Sequence, residues 1–222
     1  MNIEELFQSP SKPNSVWEQY VPLITNKNHT LVYITDSIEE PSCYNELCYK
    51  LKTASEAEIF TLFINTPGGY IDAATMIIDA IKTSKAKVIA NISGTVASAG
   101  TIITLACDEV IVADHTAFMV HNYSGSVRGK AQEIKAHQEF MDKSLTEAFK
   151  EFYKDFLTTK EMQRVIDGQD MWMGKSEVME RLSNRVKARL PQPEPATSTL
   201  HSTGCCGEII TPVKRGRKPK IQ

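Results

Sequence analysis

Apolar residues come along this chain in short bursts whose period changes in a regular way. Leu31-Val32-Tyr33-Ile34-Thr35 is β-branched and aromatic and predicts a first strand. Residues 41–53 fit a helix, with Leu47, Tyr49 and Leu51 available for packing. The run from Ile59 to Ile64 predicts a buried strand, and Thr66-Pro67-Gly68-Gly69 closes it with a tight turn. Ile71, Ala74, Ile77, Ile78 and Ile81 then recur at helical spacing, which predicts a helix over 71–82. Val88 to Ile92 predicts another strand. Gly94-Thr95-Val96-Ala97-Ser98-Ala99-Gly100 leads into a short apolar helix ending at Ala106. Two more strands follow, Glu109 to Ala113 and Ala117 to Val120.

Strands alternating with helices imply a mainly parallel sheet with helices against it, an α/β architecture. Beyond the last of these strands, residues 123–129 form a Gly/Ser loop and 130–156 a single long helical stretch. Thr158-x-x-Glu161 is a capping box opening another helix. Asp170 to Met173 is a brief extended piece, and 175–183 a last short helix. The two ends read differently. Residues 1–29 are polar, with Pro10, Pro13 and several asparagines, and are expected to form a variable arm. From Pro191 the chain turns Pro/Ser/Thr-rich and finishes in a basic tail. The expected organisation is an arm over 1–29, one domain over 30–190 and a flexible tail over 191–222.

Composition narrows the function classes. Of the 222 residues, 41% are apolar and 23% charged, enough for an ordinary core. The net charge of −2 gives the whole chain no bias toward nucleic acid or anionic membrane. Only Lys214-Arg215-Gly216-Arg217-Lys218-Pro219-Lys220 departs from this. It is similar to basic minor-groove arms, but a solvated basic terminus is the simpler reading. Five cysteines, at 43, 48, 107, 205 and 206, are odd in number and lack CxxC spacing. They fit a reduced, cytoplasmic compartment, with no metal and no cofactor expected. The amino terminus does not read as a secretory signal, and no apolar stretch reaches the ~18 residues a membrane span needs.

Four features can carry chemistry, and each has a purely structural explanation when taken alone. Ser98 lies where a strand gives way to an apolar helix, flanked by Ala97, Ala99 and Gly100. Free N–H groups at such a helix start suit a serine nucleophile and a developing oxyanion; a helix cap is the plainer reading. His121 ends the run AFMVH and would emerge at a strand edge as a general base, with His115 as a competitor. Asp170 could orient that histidine, and Asp167 lies only three residues away. Gly68 and Gly69 leave a bare backbone whose N–H could complete an oxyanion hole with that of Ala99. Both glycine turns and the histidine fall at strand ends, where open α/β sheets bind ligands.

These residues resemble the Clp protease proteolytic subunit (ClpP) family, part of the wider ClpP/crotonase fold. The likeness covers roughly residues 31–183 and rests on five motifs in order: FINTPGG at 63–69, GTVASAG at 94–100, FMVH at 118–121, YSGSVRGKAQEIKAH at 123–137 and DMWMGKSEV at 170–178. It implies a serine endopeptidase with Ser98 as nucleophile, His121 as base and Asp170 as orienter. Gly69 and Ala99 would donate the oxyanion-hole N–H groups. It further implies a protruding handle helix and heptameric rings, stackable in pairs, that enclose the sites, with an ATPase unfoldase delivering protein substrates. Two departures stand out. Asn122-Tyr123 occupies the place of the family's usual Gln-Pro. Residues 1–29 lack the family's amino-terminal loop, which leaves coupling to an ATPase open. In this the chain is similar to divergent phage-type members, some of which process head proteins. The competing expectations are a crotonase-like acyl-CoA hydratase or isomerase on the same fold, and an assembly scaffold that has kept the fold without catalysis.

Overall fold

The computed structural model describes residues 22–189. The expectations for residues 1–21 and for the Pro-rich and basic tail lie outside the described residues. Seven strands form one sheet among them: β1 (Leu23–Asn26), β2 (His29–Ile34), β3 (Ile59–Thr66), β4 (Lys87–Ala97), β5 (Glu109–Val112), β6 (Ala117–Val120) and β7 (Met171–Gly174). Six α-helices accompany them: α1 (Asn45–Thr53), α2 (Ile71–Thr83), α3 (Ala99–Ala106), α4 (Ala131–Phe152), α5 (Thr159–Ile166) and α6 (Lys175–Arg189). None of the described helices is long and apolar enough to cross a membrane.

The central strands pair in parallel, β2 to β3 to β4, as the alternation of strands and crossover helices requires. β4 is long enough to serve two further neighbours. Its first half pairs with β5 through Ile89 to Ile92, and its second half with β6 through Thr95 to Ala97. β1 and β7 close the two edges antiparallel. Alternate residues of the strands point inward, so Val32, Leu62, Ala90, Ile92, Phe118 and Val120 are fully buried with Ile77, Ile78 and Ile103 of the helices. The other set of alternating residues, among them Tyr33, Phe63, Ile111, Met119 and Trp172, stays partly or fully exposed, with Trp172 at 60%.

Several boundaries differ from the sequence expectation. Residues 23–29 do not belong to a loose arm, because β1 pairs with β2 across a turn at Lys27, whose φ is 52°. β4 does not stop at Ile92 but continues through Ser93-Gly94-Thr95, with a shift in register to β3 between Ile64 and Thr66 that absorbs the irregularity. α4 ends at Phe152, and α6 runs on to Arg189. Three side chains anchor α6, the last of them in its extra length. Val178 is buried, Arg181 joins an ion-pair cluster, and Arg185 is 8% exposed, donating to Leu105 O (3.0 Å) and Phe152 O (3.2 Å). Arg185 thereby satisfies carbonyls at the ends of α3 and α4 that no helical N–H reaches.

The capping box at Thr158 and Glu161 forms as the sequence predicts. Glu161 does more than cap α5, because both its carboxylate oxygens also accept from Arg181 of α6, at 2.7 and 3.1 Å. Those bonds, with a smaller contribution from Thr158, hold the carboxyl down at about 2. A carboxyl with a depressed folded-state pKa adds stability above the ordinary glutamate value of roughly 4.3 and loses it as pH falls toward the folded value. Glu161→Gln is therefore expected to lower stability at pH 7 by about 1–2 kcal/mol. Its deficit against the native chain should shrink steadily between pH 5 and pH 2, measured by urea denaturation across that range.

Candidate active site

The site is built where β4 passes into α3. Ser98 is the residue between them, with φ 53° and ψ −124°, a conformation that costs an L-residue about 1–3 kcal/mol. Its backbone is held from both ends. Ser98 N donates to Met119 O of β6 at 2.9 Å, and Ser98 O accepts from Thr101 N at 2.9 Å and from Thr101 Oγ1 at 2.6 Å. The sharp turn lifts the Ser98 side chain out of the sheet into a cleft of about 1090 Å³.

The glycine turn after β3 lies directly beside it. Gly68 N donates to Thr66 Oγ1, while Gly68 O accepts from Ile38 N at 2.8 Å. A Cβ added at Gly68, whose φ is 103°, would stand 2.6 Å from Ser98 Cβ. One added at Gly69 would stand 2.1 Å from Ile38 O. Only glycine lets the turn approach both neighbours at once. The bare backbone leaves the N–H groups of Gly69 and Ala99 without hydrogen-bond partners among the described residues, and both residues line the cleft. Two free amides at one wall can hold negative charge.

His121 follows β6 and lines the same cleft as Ser98. Because Ser98 N is bonded to Met119 O, the serine is tied to the strand that carries the histidine two residues further on. β6 and β7 run antiparallel with Val120 opposite Met171, so the next step of that register sets Asp170 opposite His121. The competitors sit elsewhere. His115 precedes β6 and so lies at the opposite end of that strand from His121. Asp167 accepts from Gln163 Nε2 at 2.8 Å on its own helix. Among the described residues no hydrogen bond joins Ser98 to His121 or His121 to Asp170, and Asp170 is exposed. Ser98 and His121 line one cleft, and Asp170 is not among its lining residues; in enzymes free of substrate, catalytic hydrogen bonds are often long and tighten only in the complex.

Four cleft residues have structural roles that the sequence reading did not give them. Asn122 bridges two segments, its Nδ2 donating to Ile166 O at 3.0 Å and its Oδ1 accepting from Tyr123 N at 2.9 Å. It therefore fastens the chain after His121 to the segment that leads into Asp170. Tyr123 Oη donates to Asp142 of α4, which raises the tyrosine pKa and ties the loop to the long helix. Ile38 anchors the glycine turn from a stretch with no periodic signal. Tyr153 lies fully buried at the cleft floor beside Phe149 and Leu145. Of these, only the replacement of Gln-Pro by Asn122-Tyr123 left a mark in the sequence.

Comparison with known proteins gives the family. A family model described as Clp protease matches residues 19–181. The chain belongs to the Clp protease family. It is 28% identical over 153 residues to ATP-dependent Clp protease proteolytic subunit 2 of Pseudomonas aeruginosa, covering 67% of this chain and 76% of the relative. With proteolytic subunit 1 of Chlamydia muridarum it shares 26% identity over 156 residues, 67% of this chain and 81% of the relative. A shorter stretch of 104 residues is 36% identical to proteolytic subunit 3 of Rhizobium meliloti, 46% of this chain and 52% of the relative. The α/β sheet with flanking helices is that of a Clp protease domain.

The crowding at the glycine turn predicts a mutational contrast. Gly68→Ala should destabilise the protein by more than ~1 kcal/mol, since both φ and contact oppose a methyl group there. Gly174→Ala, where a Cβ meets nothing within 4 Å, should change stability far less. Urea denaturation of the two variants beside the native chain checks the difference.

Proposed function

We propose that this Clp protease family member is a serine endopeptidase that cleaves proteins or unfolded polypeptides within a ring-shaped homo-oligomer. The observation that carries the reading is Ser98 itself: a strained, strand-to-helix serine sharing one cleft with His121 and with the N–H groups of Gly69 and Ala99, which have no partner among the described residues. In this reading His121 takes the proton of Ser98 Oγ as the hydroxyl attacks the scissile carbonyl. The amides of Gly69 and Ala99 receive the oxyanion, and Asp170 orients the imidazole and supports its charged form. His121 then protonates the leaving amine, and water releases the acyl group by the same route in reverse. In this reading the register of β6 against β7, with Val120 opposite Met171, supports bringing Asp170 to the His121 side of the site. The apolar wall of Ile71, Ile102, Leu145 and Phe149 suits an extended chain presenting an apolar side chain beside the scissile bond.

Support for assembly comes from the sheet face that the packing leaves open. Tyr33 and Phe63, stacked at 4.9 Å, and the cross-strand pair of Met119 and Trp172 leave two apolar patches on that face, of the kind that stable oligomers cover. The relatives are named as proteolytic subunits of ATP-dependent Clp proteases, which supports an ATPase partner as the source of unfolded substrate. A cytoplasmic setting fits this chemistry, and a phage head protein is the substrate to test beside a generic unfolded one.

A fluorophosphonate probe tests the assignment. The expected result is labelling at Ser98 alone, absent in Ser98→Ala, with peptide hydrolysis falling by several orders of magnitude in that variant. Peptidase activity surviving Ser98→Ala would remove the serine mechanism. For assembly, Trp172→Glu is expected to shift the protein to smaller species in light scattering while leaving its circular dichroism unchanged.

A further inference from the structure

Thr101 and Tyr153 form a buried polar pair next to the nucleophile that the triad chemistry leaves unexplained. Thr101 Oγ1 lies 2.6 Å from Ser98 O and 2.6 Å from Tyr153 Oη, and both residues are almost wholly removed from solvent. The direction of these bonds follows from elementary chemistry. A carbonyl oxygen only accepts, so the Thr101 hydroxyl donates its single proton to Ser98 O. Having spent that proton, Thr101 can only accept from its other neighbour, so Tyr153 O–H is the donor there. The order is fixed as Tyr153 to Thr101 to Ser98 carbonyl. Burial pushes the Tyr153 hydroxyl well above the ordinary tyrosine range, so the first donor keeps its proton at any working pH.

The consequence lies at the other end of the same peptide group. A trans peptide is planar, with C=O and N–H pointing in opposite directions. Ser98 C=O and Ala99 N–H are the two ends of one such plane. Drawing the carbonyl down toward Thr101 turns the Ala99 N–H the other way, up toward the cleft. Hydrogen bonds in a chain also polarise one another, so donation into the carbonyl strengthens the N–H as a donor. Thr101 N alone also donates to Ser98 O, at 2.9 Å, as any helix start would provide. The shorter hydroxyl bond and the tyrosine behind it are additions beyond what the helix needs.

We propose that Tyr153 and Thr101 are positioning residues for the oxyanion hole, acting through the Ser98–Ala99 peptide on the Ala99 amide. The inference rests on the serine-peptidase reading above. Tyr153 reaches the site from the end of α4, so the long helix contributes to the geometry of the nucleophile through one hydroxyl. Its ring meanwhile packs at 6.0 Å against Phe149, which a phenylalanine in its place would preserve.

The test is steady-state hydrolysis of a fluorogenic peptide by the assembled full-length protein. Tyr153→Phe is expected to lower kcat roughly tenfold with KM within about twofold, short of the hundredfold or more that follows outright loss of an oxyanion donor. Affinity for a peptide boronate, whose tetrahedral adduct places an oxygen in the hole, should fall in parallel. Thr101→Val should lose at least as much as Tyr153→Phe, and Thr101→Ser, which keeps the hydroxyl, should return kcat to within about threefold of the native value. The pH at which kcat/KM falls on its acid side should not move, since His121 is untouched. An unchanged kcat in Tyr153→Phe overturns the inference, and so does a Thr101→Ser variant as slow as Thr101→Val. If Ser98 is the labelled residue and Tyr153→Phe is fully active, only the positioning role fails. If peptidase activity survives Ser98→Ala, the serine mechanism fails and the positioning role with it.

Discussion

Two backbone bonds at Ser98, one to a neighbouring strand and one within its own helix, decide where everything else in the site can be. The first, from Ser98 N to Met119 O, ends the parallel pairing of β4 with β6 and locks the serine to the strand that presents His121. The second, from Thr101 to Ser98 O, begins α3. Between them the residue has no room for an ordinary conformation. A strain of about 1–3 kcal/mol is opposed by three hydrogen bonds worth about 1 kcal/mol each, so the turn is held by a margin of at most about two such bonds. The packing of Gly68 against Ser98 adds a steric wall to that margin. Such a site tolerates little change in the backbone around it while leaving the side chains free to turn.

Much of this was readable from the sequence because the signals were local. Ile59 to Ile64, Val88 to Ile92 and the helical spacing of Ile71 to Ile81 each carry their own period, and the glycine turn and the small residues around Ser98 mark the strand ends. What the sequence concealed has physical reasons. β1 is four residues of mixed polarity on a sheet edge, where no alternation is demanded because only one residue, Leu23, packs against the core. The second half of β4 looked like a loop because Ser93, Gly94 and Thr95 are exposed; the pairing with β6 holds them extended. α6 read as short because a buried position that is usually apolar is occupied by Arg185, whose charge hides the stripe that begins at Val178.

The site shows the same division. Ser98 and His121 were placed by position alone, each at the end of its own strand. Asp170 was separable from Asp167 only through the register of β6 against β7, which no local pattern encodes. Tyr153 was beyond reach for a different reason: it meets Thr101 across 52 residues, and at that separation one aromatic residue in an amphipathic helix looks like any other core residue.

Asn122 shows how a departure from the family pattern can preserve the arrangement that the pattern serves. A proline after the base strand would fix the chain by its own ring, without side-chain bonds. Asn122 and Tyr123 fix it with bonds instead. Asn122 holds Ile166 O and the amide of Tyr123, and Tyr123 holds Asp142 of α4. The first of these contacts matters most for a triad, because the segment from Ile166 to Asp170 has only four residues in which to wander once Ile166 is fastened. With Met171 held at the start of β7 opposite Val120, both ends of that short segment are tied, one to the neighbour of His121 and one to the strand before it. In the proposed triad, the segment that carries Asp170 is thus held by the backbone on either side of it, so that orienting the base would not require a hydrogen bond already closed in the free protein.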